Sequence, residues 1–233
     1  MKTLNKRVKV SICIPTYNNI DLVKRALGSV LNQAFLDYEV IITDDSDHDA
    51  VKALILAIND ARVRYVKNPV QLGSPANWNA AVRLAKGEYI KILHHDDWFT
   101  SSDCLAKFVQ LLDDNPQRVL GFSASQACYA DQTFAFLHAP SQQQLLSLNQ
   151  DPSCLFFANF IGAPSATIFR KAYVLPFDNA LRWLVDVDFY IRILAKKEQA
   201  YAYTSAPLIS IAIEGNHKVT HECSGNKAVE LFE

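Results

Sequence analysis

The sequence contains little glycine, one methionine and no concentrated block of basic charge. Its 23 lysines and arginines nearly balance 24 aspartates and glutamates, and the basic residues are scattered along the chain. A protein that binds nucleic acid normally gathers its positive charge on one surface, so this class of partner is excluded. The five cysteines lie far apart, with no Cys-x-x-Cys pair and an odd total. This argues against a zinc site or a disulfide framework and favours a reducing compartment.

Long hydrophobic runs are also missing. The apolar run after the basic N-terminus breaks at Pro15 and is too short for a signal or membrane helix. Peripheral contact with a membrane surface remains compatible with the sequence. Half of the 233 residues are hydrophobic and 20% are charged, so the chain can bury a large core. Without an internal repeat or a flexible linker, residues 1–233 are predicted to form a single domain.

The first half of the sequence alternates between short apolar runs and segments with apolar residues at helical spacing. Strands are predicted over residues 8–14, 38–43, 63–67 and from 88 onwards. Helices are predicted from Ile20, over 50–58, around Trp78 with Gly87 at the end, and around 105–112. This alternation predicts an α/β fold in which a mostly parallel sheet is covered by helices on both faces.

The pattern changes after Val119. Strands are predicted within 122–137, with a turn near Asp131, and over 201–213. The Leu145–Leu146 pair in a glutamine-rich connection could belong to a short helix, a partner contact or the core. A helix is predicted over 182–194, with Asp186 in its first turn and Asp188 paired with Arg192 four residues on. We therefore divide the domain into halves of about 8–118 and 119–233, the second smaller and mixed.

Polar residues follow three of the predicted strands, at 15–19, 44–47 and 94–97. Parallel strands present their carboxyl ends at one edge of a sheet, where ligands bind in such folds. The convergence predicts a binding site, although Asp96 and Asp97 could instead start a turn and cap the next helix. In an extended segment these two neighbours would point to opposite sides, so that only one would face a metal ion.

Simpler structural roles are expected for several neighbouring side chains. Asp44 could serve only to orient its own loop, and Trp78 and Trp98 are expected in the core or a pocket wall. His94 and His95 are expected to pack or to form hydrogen bonds at the strand end rather than to bind a ligand.

Five motifs occur in a fixed order along the chain. They are residues 10–18 (VSICIPTYN), 44–46 (DDS), 77–81 (NWNAA) with 85–90 (AKGEYI), 96–97 (DD) and 185–192 (VDVDFYIR). With these five motifs in this order, the sequence resembles the family 2 glycosyltransferases over about residues 8–195. The resemblance implies the GT-A fold, which is Rossmann-like.

The resemblance also implies roles for individual residues. Asp45 would contact the nucleotide base, Asp96 the ribose, and Asp97 a Mn²⁺ or Mg²⁺ ion that bridges the diphosphate. Asp186 falls on the position of the catalytic base. The remaining implied nucleotide-binding residues are Pro15, Thr16, Tyr17, Asn19 and Asn77.

The chain departs from the usual family pattern at three positions. Ser46 stands where glycine is commoner, Val185 stands where an acid often precedes the base, and Glu214 lies near a position often held by histidine. The departure at Glu214 argues against a role of Glu214, His217 or His221 in binding metal or phosphate.

The implied activity is inverting, metal-dependent transfer of a sugar from a nucleoside-diphosphate donor, with UDP expected. The acceptor would be a glycan or a lipid-linked glycan in bacterial surface polysaccharide or lipopolysaccharide biosynthesis. The expected location is the cytoplasm, at the inner face of the membrane. A sugar-nucleotide nucleotidyltransferase is one alternative, but it would need a glycine-rich basic loop after the first strand. A non-catalytic nucleotide-sugar-binding protein is another, against which Asp97 and Asp186 argue.

Overall fold

The computed structural model describes residues 8–196 and 200–213. Its strands are β1 (Val10–Thr16), β2 (Tyr38–Asp44), β3 (Val63–Lys67), β4 (Tyr89–Ile92), β5 (Trp98–Phe99), β6 (Leu120–Cys128), β7 (Phe134–His138), β8 (Thr167–Arg170) and β9 (Tyr201–Ala212). Its α-helices are α1 (Ile20–Leu31), α2 (Ala50–Ile58), α3 (Ala76–Leu84), α4 (Cys104–Asp113), α5 (Gln142–Gln150) and α6 (Val185–Leu194). Glu214, His217 and His221 lie outside the described residues.

One mixed sheet runs through both halves, with the strand order β3-β2-β1-β4-β8-β6-β9-β5 and β7 added to β6. Strands β1 to β4 are parallel, as the alternating sequence predicted. The direction changes at β8, which is antiparallel to both β4 and β6. The parallel part therefore positions the ends of β1, β2 and β4 along one edge.

Helices cover both faces of this sheet. Ile12 on β1 belongs to a core cluster with α1, α2 and α4, whereas its neighbour Cys13 belongs to the cluster on the opposite face with α3 and α6. Both residues have no exposed surface, because successive side chains of a strand point to opposite faces and each face is covered. In the described part of the chain, no helix combines the length and apolar character needed to cross a bilayer.

Local capping explains where two helices begin. The Asn19 side chain accepts a hydrogen bond from the backbone N of Leu22 at 3.3 Å, which starts α1. Ser141 and Gln144 form a reciprocal capping box at the start of α5. The Leu145–Leu146 pair therefore lies in a short helix, with Leu145 partly buried and Leu146 exposed.

Four features of the structure, among others, differ from the sequence-based prediction. Strand β1 continues through Pro15 and Thr16, which pair with β2 beyond the last residue that pairs with β4. Helix α6 begins at Val185 rather than at residue 182. Strand β5 was not predicted, because its two residues have no pattern of their own and are extended through pairing with β9.

The fourth difference concerns Gly87, which does not end α3. That helix stops at Leu84, and Gly87 is instead buried against β1. A Cβ atom at Gly87 would lie 2.4 Å from the backbone N of Ser11 and 2.7 Å from the carbonyl carbon of Val10. The Gly87 backbone N donates a hydrogen bond of 2.7 Å to Ser11 Oγ. Glycine is needed here for the close approach of two backbones.

We expect Gly87→Ala to destabilise the fold by about 1–3 kcal/mol or more, because backbone atoms cannot move aside as a side chain can. Gly28→Ala is the matched control: Gly28 lies inside α1, and a Cβ atom added there would have nothing within 4 Å. This control should stabilise by about 0.5–1 kcal/mol through helix propensity. Urea unfolding of both variants measures the difference, and equal effects would contradict the proposed close approach.

Candidate active site

A cleft of about 980 Å³ opens at the carboxyl ends of β1, β2 and β4. Its walls include most of the residues that the sequence singled out, namely Pro15, Thr16, Tyr17, Asp45, Asn77, Asp96, Asp97 and Asp186. The volume is of the size that binds a small ligand. Asn19 was also predicted to bind the nucleotide, but it caps α1 and does not line the cleft.

The two acids after β2 have different environments. Asp44 has no exposed surface and accepts hydrogen bonds from the backbone N of Ser46 at 2.8 Å and from Tyr65 Oη at 2.7 Å. Burial acts to raise the pKa of Asp44, but hydrogen bonds from Ser46 and Tyr65 and the nearby Lys67 charge outweigh it, so that the pKa is lowered. Asp44 therefore orients its own loop.

Asp45 reaches the cleft and also holds the loop opposite. Its Oδ1 accepts from Asn68 Nδ2 at 2.6 Å, and its Oδ2 accepts from the backbone N of Gly73 at 2.8 Å. Asn68 Nδ2 also donates to Asn77 Oδ1 at 2.9 Å. Asn77 is 5% exposed and its Nδ2 donates to the carbonyl of Thr43 at 3.2 Å. These contacts fix the wall beneath Asp45.

The acidic segment after β4 is a turn. Strand β4 ends at Ile92, and the backbone N of Asp97 donates to the carbonyl of His94 at 3.0 Å. Extended geometry does not persist to Asp96 and Asp97, so these neighbours are not forced to point to opposite sides. Ligand atoms of His94, Asp96 and Asp97 lie within 4.8 Å of one another. His94 is therefore positioned to coordinate a metal ion together with the two acids. The sequence predicted only packing or hydrogen bonding for this side chain.

Contacts from two other elements hold this turn in place. Arg25 Nη2 on α1 donates to the carbonyl of Asp96 at 2.6 Å, and its guanidinium lies 3.9 Å from the ring centroid of Trp98. His95 Nδ1 lies 3.3 Å from the carbonyl oxygen of Pro15. The turn is thus attached to α1 and to the end of β1.

A buried lysine ties the turn to the second half of the chain. Lys91 on β4 has no exposed surface, and its Nζ donates to the carbonyl of Ser165 and lies 4.4 Å from the ring centroid of Phe108. The backbone N of His94 donates to Ser165 Oγ at 2.9 Å. Burial lowers the pKa of Lys91 to about 7, while the charge of Asp97 opposes this effect. Ser165 therefore connects the two halves beside the acidic turn.

Asp186 approaches the cleft from the other side, in the first turn of α6. Its Oδ1 accepts from the backbone N of Val187 at 3.0 Å, and its Oδ2 accepts from Asn159 Nδ2 at 2.9 Å. Burial raises the pKa of the Asp186 carboxyl to about 6, and these hydrogen bonds act in the opposite direction. As predicted, Asp188 on the same helix pairs with Arg192, with 2.5 Å between Oδ2 and Nη2.

Residues 11–174, which include the acidic turn and all of strands β1 to β4 except Val10, match the family model of glycosyl transferase family 2. The chain belongs to glycosyl transferase family 2.

Two relatives illustrate the range of family 2 proteins similar to this chain. WcaA of Escherichia coli (strain K12), provisionally assigned as a colanic acid biosynthesis glycosyl transferase, is 28% identical over 226 residues, which are 91% of this chain and 75% of WcaA. The UDP-Glc:alpha-D-GlcNAc-diphosphoundecaprenol beta-1,3-glucosyltransferase WfaP of Escherichia coli is 37% identical over 93 residues, covering 40% of this chain and 37% of WfaP.

Solved structures support the GT-A fold of this family 2 chain. TarS residues 1–349 of S. aureus, in complex with UDP-GlcNAc, has a TM-score of 0.72 at 16% identity, covering 91% of this chain and 60% of that one. The mannosyltransferase PcManGT of Pyrobaculum calidifontis, in complex with GDP-Man and Mn²⁺, has a TM-score of 0.62 at 18% identity, covering 91% and 59%. The chain thus spans about three fifths of the length of these solved chains.

The family implies a divalent cation, and the donor set in the acidic turn fits one. Asp96 and Asp97 supply the carboxylate oxygens that Mg²⁺ and Mn²⁺ prefer, and His94 adds an imidazole nitrogen. Few protein ligands suffice when phosphate oxygens complete the coordination.

Several cleft residues were not found from the sequence. Asn159 comes two residues after a pair of phenylalanines, in a segment without helical or strand periodicity. Its contact with Asp186 depends on how the two segments pack. The segment from Asn179 to Leu184 lines the cleft just before α6. For His94, the neighbouring acids Asp96 and Asp97 are the one local signal of a ligand-binding role.

The raised pKa of Asp186 gives a test that needs no substrate. Protonated Asp186 is favoured in the folded chain, so its contribution to stability is present below about pH 4 and is lost as the pH rises through about 6. Asp186→Asn cannot ionise and should be more stable than wild type above pH 7, by up to about 3 kcal/mol.

Melting temperatures of both proteins between pH 4 and 8 provide the measurement. The difference should disappear towards pH 4. A difference that does not vary with pH would show that Asp186 is not the group that titrates.

Proposed function

We propose that this chain is an inverting, metal-dependent glycosyltransferase that uses a nucleoside-diphosphate sugar, with UDP as the nucleotide. One observation carries the proposal: Asp45, the acidic turn and Asp186 line the same cleft although they come from three distant segments. The nucleotide would lie along the ends of β1 and β2, and the acceptor would approach from the side of Asp186.

On the donor side, Asp45 together with Pro15, Thr16 and Tyr17 would hold the base, and Asn77 would support this wall. Tyr17 is 44% exposed in the cleft, and its ring offers a surface against which a base can stack.

The diphosphate end of the donor would lie at the acidic turn. Asp96 would contact the ribose and Asp97 the Mn²⁺ or Mg²⁺ ion, with His94 as an additional ligand. When bound, the cation would stabilise the negative charge of the departing diphosphate. UDP is favoured because TarS binds UDP-GlcNAc and WfaP is named for UDP-Glc, whereas PcManGT binds GDP-Man.

In the reaction, the acceptor oxygen forms a bond to the anomeric carbon while the bond from that carbon to the diphosphate oxygen breaks. The acceptor proton passes to Asp186 Oδ, and attack from the face opposite the leaving group inverts the anomeric configuration. A carboxylate with a pKa of about 6 is ionised at neutral pH and still basic enough to accept this proton.

The acceptor would be a glycan, in particular one carried on a lipid diphosphate at the cytoplasmic face of the cell membrane. WfaP is named for a diphosphoundecaprenol acceptor, and WcaA is linked to a surface polysaccharide. Between Arg118 and Arg170 the sequence has no lysine or arginine. The same stretch exposes large apolar side chains, namely Phe134, Phe136, Leu137, Leu146, Phe156 and Phe157. Exposed apolar side chains in a stretch without basic residues would suit peripheral contact with lipid rather than attraction to anionic headgroups.

Nucleotide-dependent thermal stabilisation tests the donor site. UDP, GDP, dTDP and CDP are compared with and without Mn²⁺, and a ligand at one hundred times its dissociation constant stabilises by about 2.7 kcal/mol. We expect stabilisation by UDP with Mn²⁺, and its loss in Asp97→Asn.

Asp114→Asn removes a carboxylate at the exposed end of α4 and should respond like wild type. If none of the four nucleotides stabilises the chain at saturation, the donor site is refuted and a non-catalytic role gains weight.

Turnover tests the base. With the nucleotide sugar of whichever nucleotide stabilises the chain, Asp186→Asn should lower kcat by about 10²- to 10⁴-fold while nucleotide-dependent stabilisation persists. Turnover is measured as release of the nucleoside diphosphate. Release of pyrophosphate from a nucleoside triphosphate and a sugar phosphate would instead identify a nucleotidyltransferase.

A further inference from the structure

Asn159 contacts Asp186 with a side chain whose orientation is fixed by its own loop. Asn159 Oδ1 accepts a hydrogen bond from the backbone N of Gly162 at 2.9 Å. Because a backbone N–H can only donate, the atom facing it must be the amide oxygen. The amide nitrogen is then the atom 2.9 Å from Asp186 Oδ2, and it also lies 3.4 Å from the carbonyl oxygen of Gly162.

The loop that carries Asn159 is itself held tightly. Gly162 has φ +87°, a conformation that favours glycine, and a Cβ atom there would lie 3.1 Å from His138 Cδ2. Tyr190 Oη on α6 donates to the carbonyl of Gly162 at 3.1 Å. The same helix that carries Asp186 thus fastens the turn that holds Asn159.

Two contacts determine the position of the Asp186 carboxylate. Oδ1 is held by the backbone N of Val187 within α6, and Oδ2 by Asn159 from the loop after α5. With the first contact alone, only one oxygen of the carboxylate would be held, by the N-terminal end of α6. The second fixes its rotation relative to the cleft, where a misplacement of about 1 Å can cost about 10²-fold in rate.

We propose that Asn159 is a positioning residue for the catalytic base: its amide donates to Asp186 Oδ2 and holds the carboxylate in the orientation that accepts the acceptor proton. The inference rests on the proposed function, since it assumes that Asp186 is the base. Asn159 acts through Asp186 and needs no contact with the reacting atoms.

The amide also favours the charged carboxylate. Asn159 Nδ2 can only donate, so it pairs with ionised Asp186 better than with a protonated oxygen. Other titratable groups lie on the elements that pack near Asp186: Tyr190 is on its own helix, His138 packs against Gly162, and the cleft walls carry His94, His95, Asp45, Asp96, Asp97 and Arg182. None of these is altered when Asn159 is replaced.

The experiment compares Asn159→Ala, Asn159→Asp and the control Gln143→Ala, which removes an exposed amide from α5. Each is made with Asp186 intact and in combination with Asp186→Asn. Within each pair, the difference in melting temperature across pH 4 to 8 reports the titration of Asp186. Loss of the donor in Asn159→Ala should move this titration up by about one pH unit. A second carboxylate in Asn159→Asp should move it further.

Turnover of the same variants supplies the second readout, with UDP-glucose, UDP-GlcNAc and Mn²⁺ as the probes. Asn159→Ala should lower kcat by about 10- to 100-fold with little change in the donor KM, because the hydrogen bond to a charged group is lost. Gln143→Ala should match wild type in both readouts.

The outcomes separate this inference from the proposed function. A uniform fall in melting temperature, with the titration of Asp186 unchanged in Asn159→Ala, would show a merely structural role and overturn the inference. The inference would also be overturned if kcat were unchanged in Asn159→Ala while Asp186→Asn abolished turnover. Full turnover in Asp186→Asn would instead overturn the base assignment, and with it the reason for the positioning role.

Discussion

The parallel pairing of β1 with β2 and β4 is the constraint on which the cleft depends. Because all three strands run in the same direction, the loops after them meet at one edge. This pairing requires close contact between β1 and the chain before β4, where Gly87 approaches the backbone of Ser11. A displaced β4 would move the acidic turn away from Pro15, whose carbonyl lies beside His95.

The second half of the chain completes the cleft by reversing the direction of the sheet. Strand β8 is antiparallel to β4, and the residues just before it bring Ser165 to the backbone of His94 and to buried Lys91. A fully buried lysine is costly unless its charge is compensated, so its carbonyl and aromatic contacts and the nearby Asp97 charge matter. The two halves are thereby joined by polar contacts beside the site.

Asp44, which is buried next to the cleft residue Asp45, and Asp186, which lines the cleft, have opposite environments. Asp44 receives several hydrogen bonds and its pKa is lowered, which suits a residue that supports a loop. Asp186 is dominated by burial and its pKa is raised, which suits proton transfer. The same kind of side chain thus serves as a support in one place and as a candidate base in another.

Local signals in the sequence were enough to predict the parallel half, because apolar runs and helical spacing do not depend on distant partners. The motifs also singled out Asp45, Asp97 and Asp186, which line the cleft. The sequence could not place Asn159 or the two-residue strand β5, whose positions depend on partners far along the chain. It left open whether Asp96 and Asp97 lie in an extended segment or start a turn, and tertiary contacts from Arg25 and Ser165 hold a turn there. Which elements form follows from local chemistry, but which side chains meet depends on the packing of the two halves.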